Sequence, residues 1–370
     1  MRLDALRGYF LLLMAAEHVP TPLSHAVQDP LGFNGAAEGF IFLSACLAGL
    51  VYGKTYLQSG RRAMCDRIWK RTRWIYVIHL SVLVPTLLAV WPLADQVAPL
   101  ANHFHDFLLQ PLRNLLLTPL LLNQPPLFDI LPLYVIFLGL TPFLLMFARR
   151  FGWGVMLTIS GIIWLTVQLK LEPRFIGAAL YSFSVGPFNL VAWQFLWACG
   201  VVIGEASVRH ELVKKPFRVG LAIPALIIVL LGILIRHGIW PQTWWNPDLF
   251  LWMDKWKLGP LRLLNFAGWV VLMLAWNPHP TRWLMAVPAL LGRHSLAVFS
   301  LHLPLVIAAT TVIQVFALSN AVQTFIGLVV VALLFPWAAW LDRRKFPAEA
   351  AKPSTNDPVK ASFPPRQSTG

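Results

Sequence analysis

Long apolar runs separated by short basic or Trp/Pro-rich segments dominate this chain. The runs fall at about 5–20, 37–53, 74–91, 127–147, 153–169, 188–206, 217–235, 262–276, 295–317 and 321–341. Each approaches the length a helix needs to cross roughly 30 Å of hydrocarbon. The pattern therefore predicts an all-α, polytopic integral membrane protein with about ten transmembrane helices. A further run, Leu112 to Leu122, is short and broken by Pro119, and it reads as a re-entrant or interfacial segment. Arg2 and Arg7 ahead of the first run resemble a signal peptide. Asp4, Glu17, His18 and the many later spans instead predict a retained first helix.

Charge orients these spans. The 370 residues include 30 Lys+Arg against 16 Asp+Glu, a formal net charge of +14. A basic balance in a soluble chain would suggest nucleic acid, but here the cations sit between runs of membrane length. With ten spans, 23 of the cations fall on the side of the N-terminus and 7 on the other. The positive-inside rule then puts both termini in the cytoplasm. The opposite loops, about 92–126, 170–187 and 236–261, are rich in Trp, Pro, His and Asp, which suits either a sugar-binding surface or an interfacial aromatic belt. After Pro347 the chain turns Pro-, Ser-, Thr- and Lys-rich, so 347–370 is predicted to be a disordered cytoplasmic tail. Three cysteines, two in apolar stretches and Cys65 in a basic loop, imply no disulfide framework.

Ionisable groups inside spans are costly and are functional candidates by default. The first span holds four of them: Asp4, Arg7, Glu17 and His18. Arg7 and His18 are eleven residues apart, almost three whole turns, so both share one face roughly 16 Å apart along the axis. Asp4, one turn before Arg7, is placed to pair with it. The alternative is that Arg7 anchors the helix at the basic interface and His18 caps its far end. Glu38 enters the second span among small residues that permit close helix packing, and Glu38 or Glu17 is positioned to orient the His18 ring. The first cytoplasmic loop carries seven cations, among them Arg67, Arg71 and Arg73. It serves as a topology determinant and headgroup contact, or as a site for a phosphorylated donor. Arg262 and His302 are further intramembrane candidates, and Arg113, Arg262 and Lys257 are cations to which a donor carboxylate could bind. No Walker loop, GxSxG, HExxH or paired CxxC is found, so neither nucleotide hydrolysis, a serine hydrolase nor a zinc site is supported, and no metal is expected.

The blocks RLDALRGYFLLLMAAEH, AAEGFIFLSACLAGLVYG, LDILPLYVIFLGLTP, WQFLWACGVVIGE, GPLRLLNF and LGRHSLAVFSLH, in this order, resemble the OpgC family of membrane O-succinyltransferases acting on osmoregulated periplasmic glucans. That family is related to the wider acyltransferase family 3. The resemblance implies a transmembrane acyltransferase domain over 1–346 in the bacterial inner membrane. It implies an acyl-CoA donor, succinyl-CoA foremost, and a periplasmic glucan or related glycan as acceptor. It further implies that the Arg and His essential to the wider family's first helix are Arg7 and His18. His18 is then the general base, with Arg7 and the loop cations holding the CoA phosphates. One departure stands in the second span, where the family's usual LSG is Leu43-Ser44-Ala45. The competing class is a multi-helix transporter or flippase using the His and Glu residues as a proton relay. No matching halves with broken helices accompany it. The sequence is compatible with a homo-oligomer and names no nucleic-acid partner.

Overall fold

The computed structural model describes residues 2–94, 96–171, 187–209, 220–238, 251–276 and 282–345. The predicted disordered tail at 347–370 and most of the second and third loops opposite the basic face lie outside these residues. What is described is all helix and turn, as expected of a chain whose backbone polar groups must be satisfied within lipid. Five helical runs are long and apolar enough to cross a membrane, and three shorter apolar helices accompany them. This is a multi-pass membrane protein.

The helices are α1 (Arg2–His18), a one-turn α2 (Pro22–Val27), and a 59-residue helical run, Ala36–Ala94. That run is two helices, α3 (36–59) and α4 (61–94), divided at Gly60, whose φ of 79° and ψ of −178° are open essentially only to glycine. The Arg67 guanidinium donates to Thr55 Oγ1 at 3.1 Å, a contact across twelve residues that a straight helix would hold roughly 18 Å apart. The chain therefore turns back on itself at Gly60. The segment predicted as the first cytoplasmic loop is helical on both sides of Gly60, where two helices meet at a single residue.

Three short helices follow, α5 (Ala98–His103), α6 (His105–Leu109) and α7 (Pro111–Leu117). Here Leu112, Leu116 and Leu120 are exposed, while Asn114 is buried and donates to the Phe107 carbonyl. Gln110 and Arg113 are exposed beside these leucines, while Phe104 and Phe107 are buried with Asn114. Then come α8 (Ile130–Phe151), α9 (Trp153–Gln168), α10 (Leu190–Val208), α11 (Ala222–Arg236) and α12 (Pro260–Trp276). The chain ends in α13 (Arg282–Arg293), α14 (Ser295–Val315) and α15 (Asn320–Lys345). Helix α13 has no counterpart among the predicted spans, because its twelve residues are amphipathic rather than uniformly apolar.

Two close helix crossings set the frame. In the first, α3 crosses α10, where a Cβ on Gly200 would sit 2.6 Å from the Cβ of Ala45 and 2.8 Å from the Phe42 carbonyl oxygen. A Cβ on Gly204 or Gly49 would likewise run into the backbone of the other helix. Small residues thus let the two backbones touch, the usual basis of helix association in lipid. Ala45 does not block this approach, because Gly200 gives up the side chain opposite it. In the second crossing, α1 meets α13, with Gly8 against the Pro288 carbonyl and Gly292 against the Asp4 carbonyl. On its other side Gly39 of α3 is covered by the Phe10 ring. Helix α1 also packs on α14 and α15, so it runs inside the bundle and not along its edge.

Candidate active site

With α1 held this way, its polar residues have defined partners. Arg7 lies beside the first residue of α14 and hydrogen-bonds Ser295 Oγ, while its Nε is buried without a partner. The N-terminus of α14 presents amide N–H groups that have no acceptor within the helix. Guanidinium and helix terminus together make this end of α1 favourable for an anion. Asp4 acts on Arg7 as a nearby opposite charge, but the side-chain hydrogen bond of Arg7 goes to Ser295. Arg71 is close enough to oppose Arg7, and Tyr134 also falls within its electrostatic reach.

At the other end of α1, His18 Nδ1 lies 3.3 Å from His302 Nε2, and the two rings are within 14° of parallel. His302 Nδ1 in turn lies 2.5 Å from the Phe299 carbonyl oxygen of its own helix. His18 is partly exposed, whereas His302 is 2% exposed with both ring nitrogens engaged. His302, one of the intramembrane candidates of the sequence, lies against His18 and out of solvent. The partner of the His18 ring is thus an imidazole from α14, not the carboxylate of Glu38 or Glu17.

Both carboxylates belong to a neighbouring cluster. Glu38 is fully buried, with Oε1 2.6 Å from Arg262 Nη1 and Oε2 accepting from the Gly35 amide at 3.1 Å. Arg262 also faces both oxygens of Asp29, at 3.4 and 3.3 Å, and donates Nε to the Met253 carbonyl. Arg236 approaches Asp29 at 3.5 Å. Arg262 therefore faces two carboxylates of the chain itself. Glu17 closes the group near Gly35, with Oε1 buried and unpartnered. Asp29 escaped the sequence reading because it lies outside every apolar run. Its signal was local: the QDPLGFNG stretch is a turn composition, and Asp29 takes a φ of 49° that few non-glycine residues adopt. Asn265 completes the scaffold, accepting from the Phe33 amide at 3.3 Å with the Asn34 amide against it.

The predicted phosphate-binding cations separate once α4 is seen to be a helix. Arg67 is tied to Thr55, and Arg71, one turn on, is half-buried toward Arg7 and Tyr52. Arg73 is exposed and lines a groove with Asp66, Trp69 and Lys70, because two residues along a helix rotate a side chain by about 200°. It does not converge with Arg7. Arg149 of α8 pairs with the buried Glu205 of α10 and covers the Tyr56 ring at 3.8 Å. Beside it an open cleft of about 870 Å³ runs between α8 and α9, apolar along its length and basic at the end carrying Arg61 and Arg150.

The profile of the family described as OpgC protein matches residues 1–346. The chain belongs to the OpgC family. No curated protein and no solved structure matches it. The OpgC match spans every described helix. It supports, in general terms, an acyltransferase role toward a glucan. Within that unit the residues brought together across the bundle come from α1, α3, α12 and α14, helices far apart in the sequence.

Proposed function

We propose that this OpgC-family chain moves a succinyl group from cytoplasmic succinyl-CoA to a hydroxyl of a periplasmic glucan, in the bacterial inner membrane. One observation carries the reading: a single buried helix holds an anion-favouring guanidinium at its basic end and an accessible imidazole, backed by a second imidazole, at the other. A long acyl donor with phosphates at one end and a thioester at the other matches that polarity. Arg7, with Arg71 and Arg67 behind it, holds the phosphates, and the acyl-carrying arm lies along α1. The arm's amides need hydrogen-bond partners inside the bundle. Buried, unpartnered polar atoms on α1 and the helices around it (Arg7 Nε, Ser44 Oγ and Ser300 Oγ) suit them.

In the chemical step the glucan oxygen attacks the thioester carbonyl carbon while His18 accepts the hydroxyl proton. The tetrahedral oxyanion collapses, the C–S bond breaks, and the same proton passes from His18 to the departing thiolate. Glu38, Asp29 and Arg262 tie the N-terminal ends of α3 and α12 together, with Glu17 of α1 beside them.

The test is transfer of radiolabelled succinyl from succinyl-CoA to glucan by purified protein in proteoliposomes. His18→Ala is expected to lower turnover by about 10²–10⁴-fold with an unchanged thermal melt. A folded His18→Ala protein with normal transfer rejects the assignment. Solute movement across the vesicle without acyl transfer favours a transporter instead.

A further inference from the structure

We infer that His302 is a positioning residue that fixes the tautomer of His18, leaving the lone pair on His18 Nε2. The inference rests on the reading of His18 as base and adds to it which nitrogen takes the proton and why. A carbonyl oxygen brings no hydrogen to a hydrogen bond, so the proton between Phe299 O and His302 Nδ1, 2.5 Å apart, is on the imidazole. A neutral imidazole protonated at Nδ1 is bare at Nε2. That bare nitrogen faces His18 Nδ1 at 3.3 Å, so His18 supplies the proton there and its own Nε2 is left unprotonated.

Ring geometry agrees with this chain. The N–H bond and the lone pair of imidazole both lie in the ring plane. The two planes are 14° apart, and the centroids are separated by 5.5 Å while the nitrogens are only 3.3 Å apart. The rings therefore meet nitrogen edge to nitrogen edge, with donor aimed at acceptor. The Phe299 ring packs against His302, centroids 4.7 Å apart, and helps hold it in this pose.

The arrangement does the work that a carboxylate does behind a catalytic histidine elsewhere: it selects one tautomer and steadies the imidazolium once the proton arrives. It does so with no formal charge. When His18 takes the hydroxyl proton on Nε2, its Nδ1–H becomes the donor of a charge-assisted bond to a neutral acceptor. A buried imidazole that never needs to ionise also avoids the cost of a second charge in the bundle.

The experiment reads tautomer and turnover separately. In protein labelled with ¹⁵N-histidine, the His18 resonances, assigned by their loss in His18→Asn, are expected to show Nδ1 protonated and Nε2 bare. In His302→Leu that preference is expected to disappear and turnover to fall about a hundredfold or more, with KM for the donor within about threefold. His302→Gln, whose amide oxygen can accept from Nδ1–H, is expected to keep turnover within about tenfold of wild type. Wild-type His18 protonated at Nε2 overturns the proposal whatever the activity. So does a folded His302→Leu with normal turnover and an unchanged tautomer. Normal transfer by His18→Ala would instead overturn the base assignment and leave the tautomer result standing.

Discussion

At the residue scale, this protein places ionisable groups where hydrocarbon would exclude them, and Glu38, Asp29, Arg149 and His18 each meet a partner from a distant part of the chain. Arg262 with Glu38 and Asp29 is the densest case. Removing one member of such a buried pair strands the other, at a cost of about 3–5 kcal/mol. Glu38→Gln and Arg262→Met are therefore each expected to lower the detergent melting temperature sharply, and the double variant to recover part of the loss. Additive losses would show that the two do not act as a pair. Arg7 behaves differently, because its partner is a neutral hydroxyl. Arg7→Gln is expected to raise KM for acyl-CoA by about tenfold or more while the fold survives. Ser295→Ala should do so less.

At the element scale, backbones touch only where glycine allows it. Gly200 and Ala45 share one site at the α3–α10 crossing, and there is room for a single methyl group. Gly200→Ala is expected to destabilise by about 1–3 kcal/mol, as overpacking does. Adding Ala45→Gly should return part of that, the remainder reflecting the Phe42 carbonyl, which the exchange does not move. Thermal unfolding of the two variants measures the difference. Gly60 illustrates the opposite situation. Nothing lies within 4 Å of it, yet its backbone angles exclude other residues. Gly60→Ala is expected to cost about 1–3 kcal/mol through strain alone, with no gain from trimming any neighbour.

At the scale of the whole molecule, the charge bias and the helix pattern make one statement about orientation. The positive-inside rule assigns the Gly60 turn and α13 to the basic face, and the short helices α5 to α7 to the opposite one. In a cysteine-free background, a membrane-impermeant thiol reagent added to intact cells is expected to label Leu112→Cys and spare Arg61→Cys. The reverse labelling would invert the topology and put the donor site on the wrong side of the membrane for acyl-CoA.

Much of this was legible in the order of residues. Apolar runs of membrane length dictate helices because lipid offers no partner to a backbone N–H or C=O, so all-α architecture follows from composition and run length alone. The shared face of Arg7 and His18 follows from helical periodicity in the same way. Short amphipathic α13 and the helical course of 54–73 were not legible. Neither stretch is uniformly apolar over the length of a span, so both read as loops until their packing is seen. Nor could the sequence pair Glu38 with Arg262, or His18 with His302, over separations of 224 and 284 residues. A charge within a span announces that it must find a partner, because hydrocarbon will not solvate it. Which partner it finds depends on where the helices cross, and that is set by the glycines at α3–α10 and α1–α13. The sequence by itself determined the class of protein and the placing of Arg7 and His18 on one face of one helix. Tertiary structure alone decided that a neutral imidazole, and not a carboxylate, stands behind His18.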